Sequence, residues 1–496
     1  MNIHLLLEMA ADAAPDRVAI GSLRDGWTYS QLLSASRQTA VKVKSMPGET
    51  LVYCGLNRPE LAVAFFAASM AGRRFTPLNY RLPDADLRRL LERSAPAVAL
   101  FDEDMIDRVR GIAGIELNAV KDFIYPVSDS QLALESLDED EEAVAIVLFT
   151  SGTTSEPKAA ILRHRHLTSY VFSTLEFMGA DEGECALVSV PPYHIAGMSA
   201  LITSIYTGRR IVQLPTFSAD FWVDSVINEG VTHAMVVPTM LGRILDVIES
   251  RGVKLETLRA LSYGGGRMPV SVIERAMDLL PAVDFVNAYG LTETSSTIAI
   301  LDPESHRLAK NSTDFAVRNR LTSVGRPLPS IELEVRDTDG RVLPFDEVGE
   351  IWVRGDQISG EYEGKQSNLS DGWFPTKDSG WLDSEGYLFV AGRLDDVIVR
   401  GGENISPSEV EDVLRLHASV NDVAVLGVPD EEWGEKIIAV IVADSPVNVE
   451  DLKNLVQGKL RSTRVPAEIL FESVLPYNET GKLLRRKLKD DYVSKI

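Results

Sequence analysis

Short apolar runs alternate with helix-like segments through the first part of the chain, and this alternation restricts the possible folds more than any other feature. The runs LVYCGL (51–56) and AVALFDE (97–103) have the composition of buried strands, whereas ELAVAFFAASMAG (60–72) has that of a helix. Successive parallel strands need a crossover connection, which a helix usually supplies. The alternation therefore predicts an α/β fold with mainly parallel sheets.

The pattern changes in the last third of the sequence. From Val324 onwards, short alternating strands such as IELEVRD (331–337) and GYLFVAG (386–392) are separated by glycine-rich turns, which indicates a β-barrel-like subdomain. After AGRLDD (391–396), helix and strand patterns mix again, as in a small α+β domain. A chain of 496 residues has room for about three globular units at roughly 150 residues each. The patterns together predict a large N-terminal domain, made of two βα subdomains and the β subdomain, and a small C-terminal α+β domain.

Charge and cysteine content limit the partners and the compartment. Acidic residues outnumber basic ones by 73 to 50, and because phosphate backbones are bound by basic surfaces, we expect no nucleic-acid partner. Cys54 and Cys185 match no metal or redox spacing, which indicates a reducing compartment. The amino terminus lacks the basic region of a signal peptide, and the uncharged run 185–208 contains Pro191 and Pro192, so we predict no transmembrane segment. These observations favour a cytoplasmic protein.

Two polar segments follow strand-like runs and are candidates for anion binding. TSGTTSEPK (150–158) comes directly after AVAIVLF (143–149), and its hydroxyl groups, backbone N–H groups and Lys158 suit phosphate oxygens. It lacks the Gly-Lys-Ser/Thr ending of a P-loop, so on its own an ordinary loop explains it equally well. NAYGLTETSS (287–296) places Thr292 and Glu293 at the carboxyl end of a strand, where open α/β sheets bind ligands. Glu293 there suits Mg²⁺, which prefers oxygen ligands.

Two further segments complete the set of motifs. These are GWFPTKDSGWLDSEGYLFVAGRLDDVIVRGGENISPSEVE (372–411) and PYNETGKLLRRKL (476–488). In this order, the motifs resemble the adenylate-forming superfamily, which comprises acyl- and aryl-CoA synthetases, the adenylation domains of peptide synthetases, and beetle luciferase. The resemblance covers essentially the whole chain and is greatest to bacterial fatty-acid and other acid–CoA ligases.

The resemblance implies a two-step reaction and a two-domain fold. A carboxylate attacks the α-phosphate of Mg·ATP to give acyl-AMP and pyrophosphate, and a thiol such as that of CoA then displaces AMP. The implied cofactors are therefore ATP and Mg²⁺, with CoA as a co-substrate and a small-molecule carboxylic acid as the substrate. The implied domains are an N-terminal adenylation domain of residues 1–393 and a mobile C-terminal domain of residues 394–496, with a hinge at Asp395.

The family's functional residues match this sequence position by position. By this match Tyr289 packs against adenine, Thr292 binds the α-phosphate and Glu293 binds Mg²⁺, while Asp378 and Arg393 bind the ribose hydroxyls. The complete set of implied nucleotide-binding positions is Thr150, Ser151, Gly152, Thr153, Thr154, Lys158, Gly264, Tyr289, Gly290, Thr292, Asp378 and Arg393. The implied CoA side consists of Gly401, Gly402 and Glu403.

Lys482 matches the family's catalytic lysine, which acts together with Thr292 and Glu293. Two anions must meet in the adenylation step, and an ammonium group that bridges them stabilises the charge that develops on the phosphate. Losing one such group typically costs about 3–4 kcal/mol, or on the order of 10²–10³ in rate. The basic run Arg485–Lys487 that follows is expected to be a solvated helix face.

The acid pocket is predicted only in outline. His194, in PPYHIAGMS (191–199), resembles the family's gate, and Gly264, Gly265 and Gly266 resemble the segment that lines the acyl tunnel. Three glycines in a row suit a roomy pocket, in which a large side chain at Gly265 would exclude the acid, but a tight turn explains them equally well. No aspartate suited to an α-amino group is evident, which disfavours amino-acid substrates.

The sequence departs from the family pattern at three positions and leaves several questions open. Ser155 and Ala159 replace glycines and should stiffen the phosphate loop, and Lys377 replaces the glycine of the family's Thr-Gly-Asp without an evident reason. An acid–CoA ligase of fatty-acid or lipid metabolism is the preferred interpretation, because RGGENISPSEVEDVL (400–414) and PDEEWGE (429–435) resemble the pantetheine side of such enzymes. An enzyme that loads a carrier protein and a non-catalytic nucleotide-binding scaffold are the alternatives. Fatty, aryl and polycyclic acids all remain open, as does the oligomeric state.

Overall fold

The structure is a computed structural model, and it describes residues 1–124, 139–150, 157–478 and 483–493. Their contacts define two compact units. Unit 1 comprises Met1–Leu321, Pro327–Glu332 and Arg354–Phe374. Unit 2 comprises Thr322–Arg326, Leu333–Val353 and Pro375–Ile496. The predicted functional boundary between residues 393 and 394 falls within unit 2 and stays a prediction.

Strands and helices alternate through unit 1, as the sequence pattern predicts. The strands of the chain are β1 (Val18–Ile20), β2 (Trp27–Thr28), β3 (Thr50–Cys54), β4 (Arg74–Pro77), β5 (Ala97–Phe101), β6 (Ile115–Ala119), β7 (Val144–Thr150), β8 (Lys158–Arg163), β9 (Cys185–Val188), β10 (Arg210–Gln213), β11 (His233–Val236), β12 (Ala260–Gly264), β13 (Asp284–Leu291), β14 (Ser296–Leu301), β15 (Arg326–Pro327), β16 (Glu332–Arg336), β17 (Gly349–Arg354), β18 (Glu361–Tyr362), β19 (Phe374–Leu382), β20 (Leu388–Arg393), β21 (Ile398–Arg400), β22 (Glu403–Ile405), β23 (Val420–Asp430), β24 (Gly434–Ala443) and β25 (Glu468–Phe471). The helices are α1 (His4–Ala13), α2 (Tyr29–Lys44), α3 (Pro59–Met70), α4 (Asp84–Arg93), α5 (Val120–Phe123), α6 (His164–Thr174), α7 (Ile195–Thr207), α8 (Ala219–Glu229), α9 (Pro238–Arg251), α10 (Val270–Leu279), α11 (Pro303–Asn311), α12 (Phe315–Asn319), α13 (Pro407–Leu414), α14 (Val449–Lys459) and α15 (Arg485–Val493).

Unit 1 contains two largely parallel sheets. The nine-stranded sheet has the order β15-β14-β13-β12-β11-β9-β10-β1-β2, and its neighbours from β13 to β1 are parallel. The seven-stranded sheet has the order β18-β8-β7-β4-β3-β5-β6, and its neighbours from β7 to β6 are parallel. Helix α3 is buried along its length from Leu61 to Met70, which explains why its sequence is apolar on every face. The predicted α/β class is confirmed.

Unit 2 contains a β subdomain and the predicted α+β domain. Its four-stranded sheet has the order β16-β17-β19-β20, and its five-stranded sheet joins β22-β21-β24-β23 with β25 paired to β24. The long antiparallel pair β23 and β24 forms one side of an apolar core with α13 and α14. None of the described helices has the length and apolar character needed to cross a membrane.

A buried ion pair in unit 2 corrects one prediction. Arg485, expected on a solvated helix face, donates to Glu411 Oε1 at 2.5 Å, and Glu411 is only 3% exposed. Burial opposes the charged form of Glu411, but the charges and hydrogen bonds that the carboxylate receives, chiefly from Arg485 together with Arg415, outweigh burial and lower the pKa of this group. The solvated-face prediction is therefore wrong for Arg485, whereas Arg486 and Lys487 are exposed as expected.

Candidate active site

Four loops of unit 1 lie side by side at one edge of the nine-stranded sheet. Strands β9, β11, β12 and β13 are parallel neighbours, with Val188 opposite Met235, Val236 opposite Tyr263, and Gly264 opposite Ala288. Because their carboxyl ends coincide, the segments that follow these strands share one edge. That edge carries a large part of the predicted site, namely His194, Gly264, Gly265, Gly266, Tyr289, Gly290, Thr292 and Glu293.

A rigid turn holds Glu293 at this edge. Residues Thr292–Thr294 form a 3₁₀ turn, and the following Ser295 has a left-handed backbone with φ of 56°. The buried side chain of Gln357 donates to the carbonyl oxygens of Thr294 and Thr297, each at 2.9 Å. Ser295 Oγ in turn donates to the Gln357 carbonyl at 2.8 Å. These bonds fix the turn, and sequence reasoning missed Gln357 because no local motif marks it.

The carboxylate of Glu293 is mostly buried and accepts a hydrogen bond from Tyr362. The Tyr362 hydroxyl donates to Glu293 Oε1 at 2.5 Å, and Glu293 is 9% exposed. Among the described residues, no group of three or more His, Cys, Asp or Glu side chains could hold a metal ion. A single protein carboxylate fits Mg²⁺, which is commonly bound by one or two carboxylates together with substrate phosphates and water. Glu293 is thus suited to the predicted role.

The predicted phosphate loop connects an antiparallel strand pair. Thr150, at the end of β7, lies opposite Lys158, at the start of β8, and Thr150 Oγ1 donates to the Lys158 carbonyl at 3.4 Å. Lys158 Nζ lies 5.5 Å from the centre of the Tyr362 ring. Ala159 lies inside β8, buried and paired with Phe149, so it belongs to the strand and does not stiffen the loop as predicted. The predicted residues Ser151, Gly152, Thr153 and Thr154, together with Ser155, lie outside the described residues.

Glycines allow close backbone approach at the same edge. A Cβ atom on Gly264 would come within 2.2 Å of the Ala288 carbonyl oxygen, and one on Gly290 within 1.7 Å of the Ser296 carbonyl oxygen. Gly265 has φ of +77°, so a tight turn accounts for it. Of the residues that the structure describes, only the Pro238 ring would contact a Cβ on Gly266, at 3.8 and 3.9 Å. A larger side chain is therefore accommodated without backbone strain at Gly266 but not at Gly265, and the pocket role of these glycines stays a prediction.

The Tyr193 ring packs against His194, the residue immediately before α7. The ring centres of His194 and Tyr193 are 4.7 Å apart, and those of Tyr193 and Tyr80 are 5.8 Å apart in an edge-to-face arrangement. Tilted and edge-to-face arrangements are the geometries that aromatic pairs favour. His194 thus packs against an aromatic pair after β9, where an acid gate is predicted.

Within unit 2, the two predicted ribose-binding residues are direct neighbours. Asp378 and Arg393 face each other across β19 and β20, with Arg393 Nε 3.1 Å from Asp378 Oδ1. Lys377 has a left-handed backbone with φ of +63°, and its ammonium lies 3.3 Å from Glu350 Oε1. A glycine would adopt this φ without strain, so Lys377 occupies a glycine-type position and directs its charge to Glu350.

The predicted CoA side and hinge also lie in unit 2. Gly401 and Gly402 both have positive φ, and a Cβ on Gly401 would come within 2.9 Å of the Trp433 ring. Beside them is a cavity of about 360 Å³, lined by Arg400, Gly401, Glu403, Trp433, Ser462 and Thr463. Glu403 accepts a hydrogen bond from Arg464, which lowers the pKa of its carboxyl group. Asp395 is exposed in the 3₁₀ turn Leu394–Asp396, while the catalytic candidate Lys482 lies outside the described residues.

Two models of known protein families match this chain. One family model, the AMP-binding enzyme, matches residues 7–363, and another, the AMP-binding enzyme C-terminal domain, matches residues 409–482. This chain belongs to the AMP-binding enzyme family. The resemblance predicted from these motifs is confirmed, and both family matches together extend over most of the chain.

Individual relatives match over nearly their full length. The chain is 34% identical to the 2-succinylbenzoate–CoA ligase of Bacillus licheniformis, covering 97% of this chain and 98% of that protein. It is 29% identical to the fatty acid–[acyl-carrier-protein] ligase ScoC of Streptomyces coeruleorubidus, covering 94% and 91%. Among solved structures, o-succinylbenzoate CoA synthetase from Bacillus subtilis with its acyl-adenylate intermediate superposes with a TM-score of 0.84 at 30% identity, covering 98% of each chain. ATP-bound MatB from Rhodopseudomonas palustris, at 24% identity, has the same fold with a TM-score of 0.86 over 99% of each chain.

Proposed function

We propose that this AMP-forming acid–CoA ligase acts on an aromatic acid of the 2-succinylbenzoate type. Several relatives that match the chain nearly end to end are 2-succinylbenzoate–CoA ligases, and one such enzyme has been solved with ATP and Mg²⁺. The observation that carries the proposal is the full-length match at 34% identity to a 2-succinylbenzoate–CoA ligase, combined with Thr292 and Glu293 at the carboxyl edge of the nine-stranded sheet. Both the acid type and the individual residue roles are part of the proposal.

Each residue of the unit 1 site has a distinct proposed task. Lys158 and Thr150 would bind the ATP phosphates, and Thr292 would donate to the α-phosphate that the carboxylate attacks. Glu293 would hold Mg²⁺, which when bound neutralises phosphate charge and favours pyrophosphate as a leaving group. His194 would line the entrance of the acid, and Gly266 would leave space for its body. Lys482 would bridge the two reacting anions only in the adenylation step.

The C-terminal residues would serve the second step. We propose that residues 394–496 turn about Asp395 after adenylation, so that Lys482 leaves the reacting carbonyl and the Gly401–Glu403 loop approaches it. Asp395 suits a hinge because it is exposed in a short turn between β20 and β21. A few residues at the ends of elements commonly absorb the dihedral change of such motions.

A fatty acid loaded on a carrier protein is the second candidate, favoured by the similarity to ScoC. We propose the cytoplasm as the compartment in either case, because Cys54 and Cys185 are both free and buried.

The test is pyrophosphate release with a panel of 2-succinylbenzoate, simple benzoates and fatty acids, followed by mass spectrometry of the thioester formed with CoA or with a carrier protein. The first proposal predicts the highest kcat/KM for 2-succinylbenzoate and a CoA thioester. A preference for fatty acids and carrier protein would favour the second, and release of ADP would contradict both.

A further inference from the structure

Tyr362 contacts both of the charged groups that the proposed adenylation site uses in unit 1. Its hydroxyl donates to Glu293 Oε1 at 2.5 Å, and its ring centre lies 5.5 Å from Lys158 Nζ. Tyr362 is itself only 9% exposed. Among the described residues, no cation forms an ion pair with Glu293 and no carboxylate forms one with Lys158. One aromatic side chain therefore contacts an anion and a cation that do not neutralise each other.

The backbone around Tyr362 is fixed from two sides. Strand β18 pairs with β8, so that Tyr362 lies opposite Ala160, two residues after Lys158. On the other side, the N–H groups of Ser359 and Gly360 donate to the Glu293 carbonyl oxygen at 2.8 and 3.4 Å. The Tyr362 ring is thus held between the strand that begins with Lys158 and the turn that carries Glu293.

An ion pair anchors the same short strand. Arg163 donates through Nε and Nη2 to the two carboxylate oxygens of Glu361, at 2.8 and 2.7 Å. Bidentate pairs of this type fix the relative orientation of the two side chains and also stabilise the contact. Hydrogen bonding from Arg163 is also the main reason why the pKa of Glu361 is lowered. Tyr362 follows directly after this anchor, so its position does not depend on its own hydroxyl bond alone.

This geometry has a physical consequence for both charges. A lysine and a carboxylate that share one site attract each other, and a direct ion pair would withdraw both from a substrate. A hydroxyl donor to one carboxylate oxygen orients the group and leaves the other oxygen for a cation, while the ring face stabilises the ammonium without neutralising it. We infer that Tyr362 is a positioning residue that holds Glu293 ready for Mg²⁺ and Lys158 ready for phosphate. The inference rests on the proposed roles of those two residues.

The test measures metal and nucleotide binding on the full chain without acid, so that no turnover contributes. Tyr362→Phe removes only the hydroxyl group, and Tyr362→Leu also removes the ring. Tyr53→Phe is the matched control, because it removes a hydroxyl that donates to the Leu56 carbonyl at 3.0 Å in the same unit. Mn²⁺ binding in the presence of ATP is followed by electron paramagnetic resonance, and ATP binding in EDTA by calorimetry. Thermal unfolding verifies that each variant is folded.

We expect Tyr362→Phe to weaken Mn²⁺ binding on the order of tenfold, the loss typical of one charge-assisted hydrogen bond, with metal-free ATP binding unchanged. Tyr362→Leu should in addition weaken metal-free ATP binding by about two- to fivefold, since the cation–π contact of Lys158 is lost. Tyr53→Phe should change neither binding constant. In steady state, Tyr362→Phe should raise the Mg²⁺ concentration needed for half-maximal pyrophosphate release more than it lowers kcat at saturating Mg²⁺.

Glu293→Gln separates failure of this inference from failure of the proposed site. If Glu293→Gln weakens Mn²⁺ binding while Tyr362→Phe behaves like Tyr53→Phe, the positioning role of Tyr362 is wrong and the metal-binding role of Glu293 is supported. If Glu293→Gln leaves Mn²⁺ binding unchanged, the proposed role of Glu293 is wrong, and the role of Tyr362 is wrong with it. Weaker Mn²⁺ binding in both Glu293→Gln and Tyr362→Phe, with Tyr53→Phe unchanged, supports the metal site and the positioning role.

Discussion

Gly266→Leu should reduce the use of a bulky acid while leaving ATP binding unaffected. Within the described part of the chain, a Cβ atom at Gly266 has only the Pro238 ring within 4 Å, at 3.8 and 3.9 Å. The backbone of Gly266 is not left-handed, so a larger side chain is accepted without strain. Gly265 has φ of +77°, where an L-residue costs about 1–2 kcal/mol. A Cβ on Gly264 would collide with the Ala288 carbonyl oxygen at 2.2 Å. Of the three glycines, only Gly266 allows a substitution whose effect reports on the ligand.

The expected size of the effect follows from the volume that leucine takes from the acid. Overlap of a few methylene groups with a bound ligand costs about 1–3 kcal/mol, which corresponds to roughly 10–200-fold in kcat/KM. The assay is pyrophosphate release with 2-succinylbenzoate and with a short-chain acid, at saturating and limiting ATP. Gly266→Leu should lower kcat/KM for the larger acid selectively, and Gly266→Ala should have an intermediate effect.

Gly183→Leu is the matched control for this substitution. Gly183 is exposed just before the amino end of β9, away from the carboxyl edge, and a Cβ there meets no atom within 4 Å. It should leave the kinetics for both acids unchanged. The reasoning is refuted if Gly266→Leu raises KM for ATP while the preference between the two acids stays the same, because Gly266 would then border the nucleotide.

Three further predictions address the lysine, the hinge and the buried ion pair. Lys482→Ala should lower the single-turnover rate of adenylation about 10²–10³-fold, while the rate of thioester formation from supplied acyl-AMP is largely retained. Equal losses of rate in both steps would contradict the assignment of Lys482 to the adenylation step. Asp395→Pro fixes φ near −65° at the proposed hinge, so it should impair one half-reaction much more than the other, and small parallel changes would mean that Asp395 is not the hinge. Arg485→Met should destabilise unit 2 by about 3–5 kcal/mol at neutral pH, because Glu411 is left buried without its main partner. The folded-state pKa of Glu411 is lowered, so this stabilisation is present above its unfolded pKa and is lost as pH falls through the folded value. The destabilisation caused by Arg485→Met should therefore be smaller at acidic pH. Hydrogen exchange of the Val425 amide, which donates to Glu411 Oε1 at 2.8 Å, measures this change in stability. A destabilisation that does not depend on pH would contradict the argument.

The sequence predicted well those features that depend on local pattern and chain order. Strand and helix periodicity gave the α/β class, and the position of Thr292 and Glu293 after a buried strand placed them at a ligand-binding edge. This works because parallel strands bring their carboxyl ends to one edge, whatever the details of side-chain packing. His194 and the three glycines reach the same edge for the same reason, since β9 and β12 belong to the same sheet as β13.

Contacts between residues that are far apart in the sequence could not be predicted from the sequence alone. Tyr362 and Glu293 are 69 residues apart, and nothing in the segment GEYEG (360–364) marks its tyrosine as a donor to a distant carboxylate. Arg485 was expected in solvent because its neighbours are basic, yet its partner Glu411 lies 74 residues earlier. Lys377 had no explanation until its backbone φ of +63° and its contact with Glu350 were known.

These differences suggest how the site divides its tasks. Groups proposed to meet the substrate, such as Thr292 and Glu293, follow strands directly, where a short motif is enough to specify them. Groups that hold them, such as Gln357 and Tyr362, come from one later segment that runs alongside both the Glu293 turn and β8. A change in that segment would alter the orientation of Glu293 and Lys158 without touching the substrate. Variation in metal dependence among related enzymes should therefore follow the segment at 357–362 more closely than the motif at 292–293, which comparison of Mg²⁺ requirements across such relatives can test.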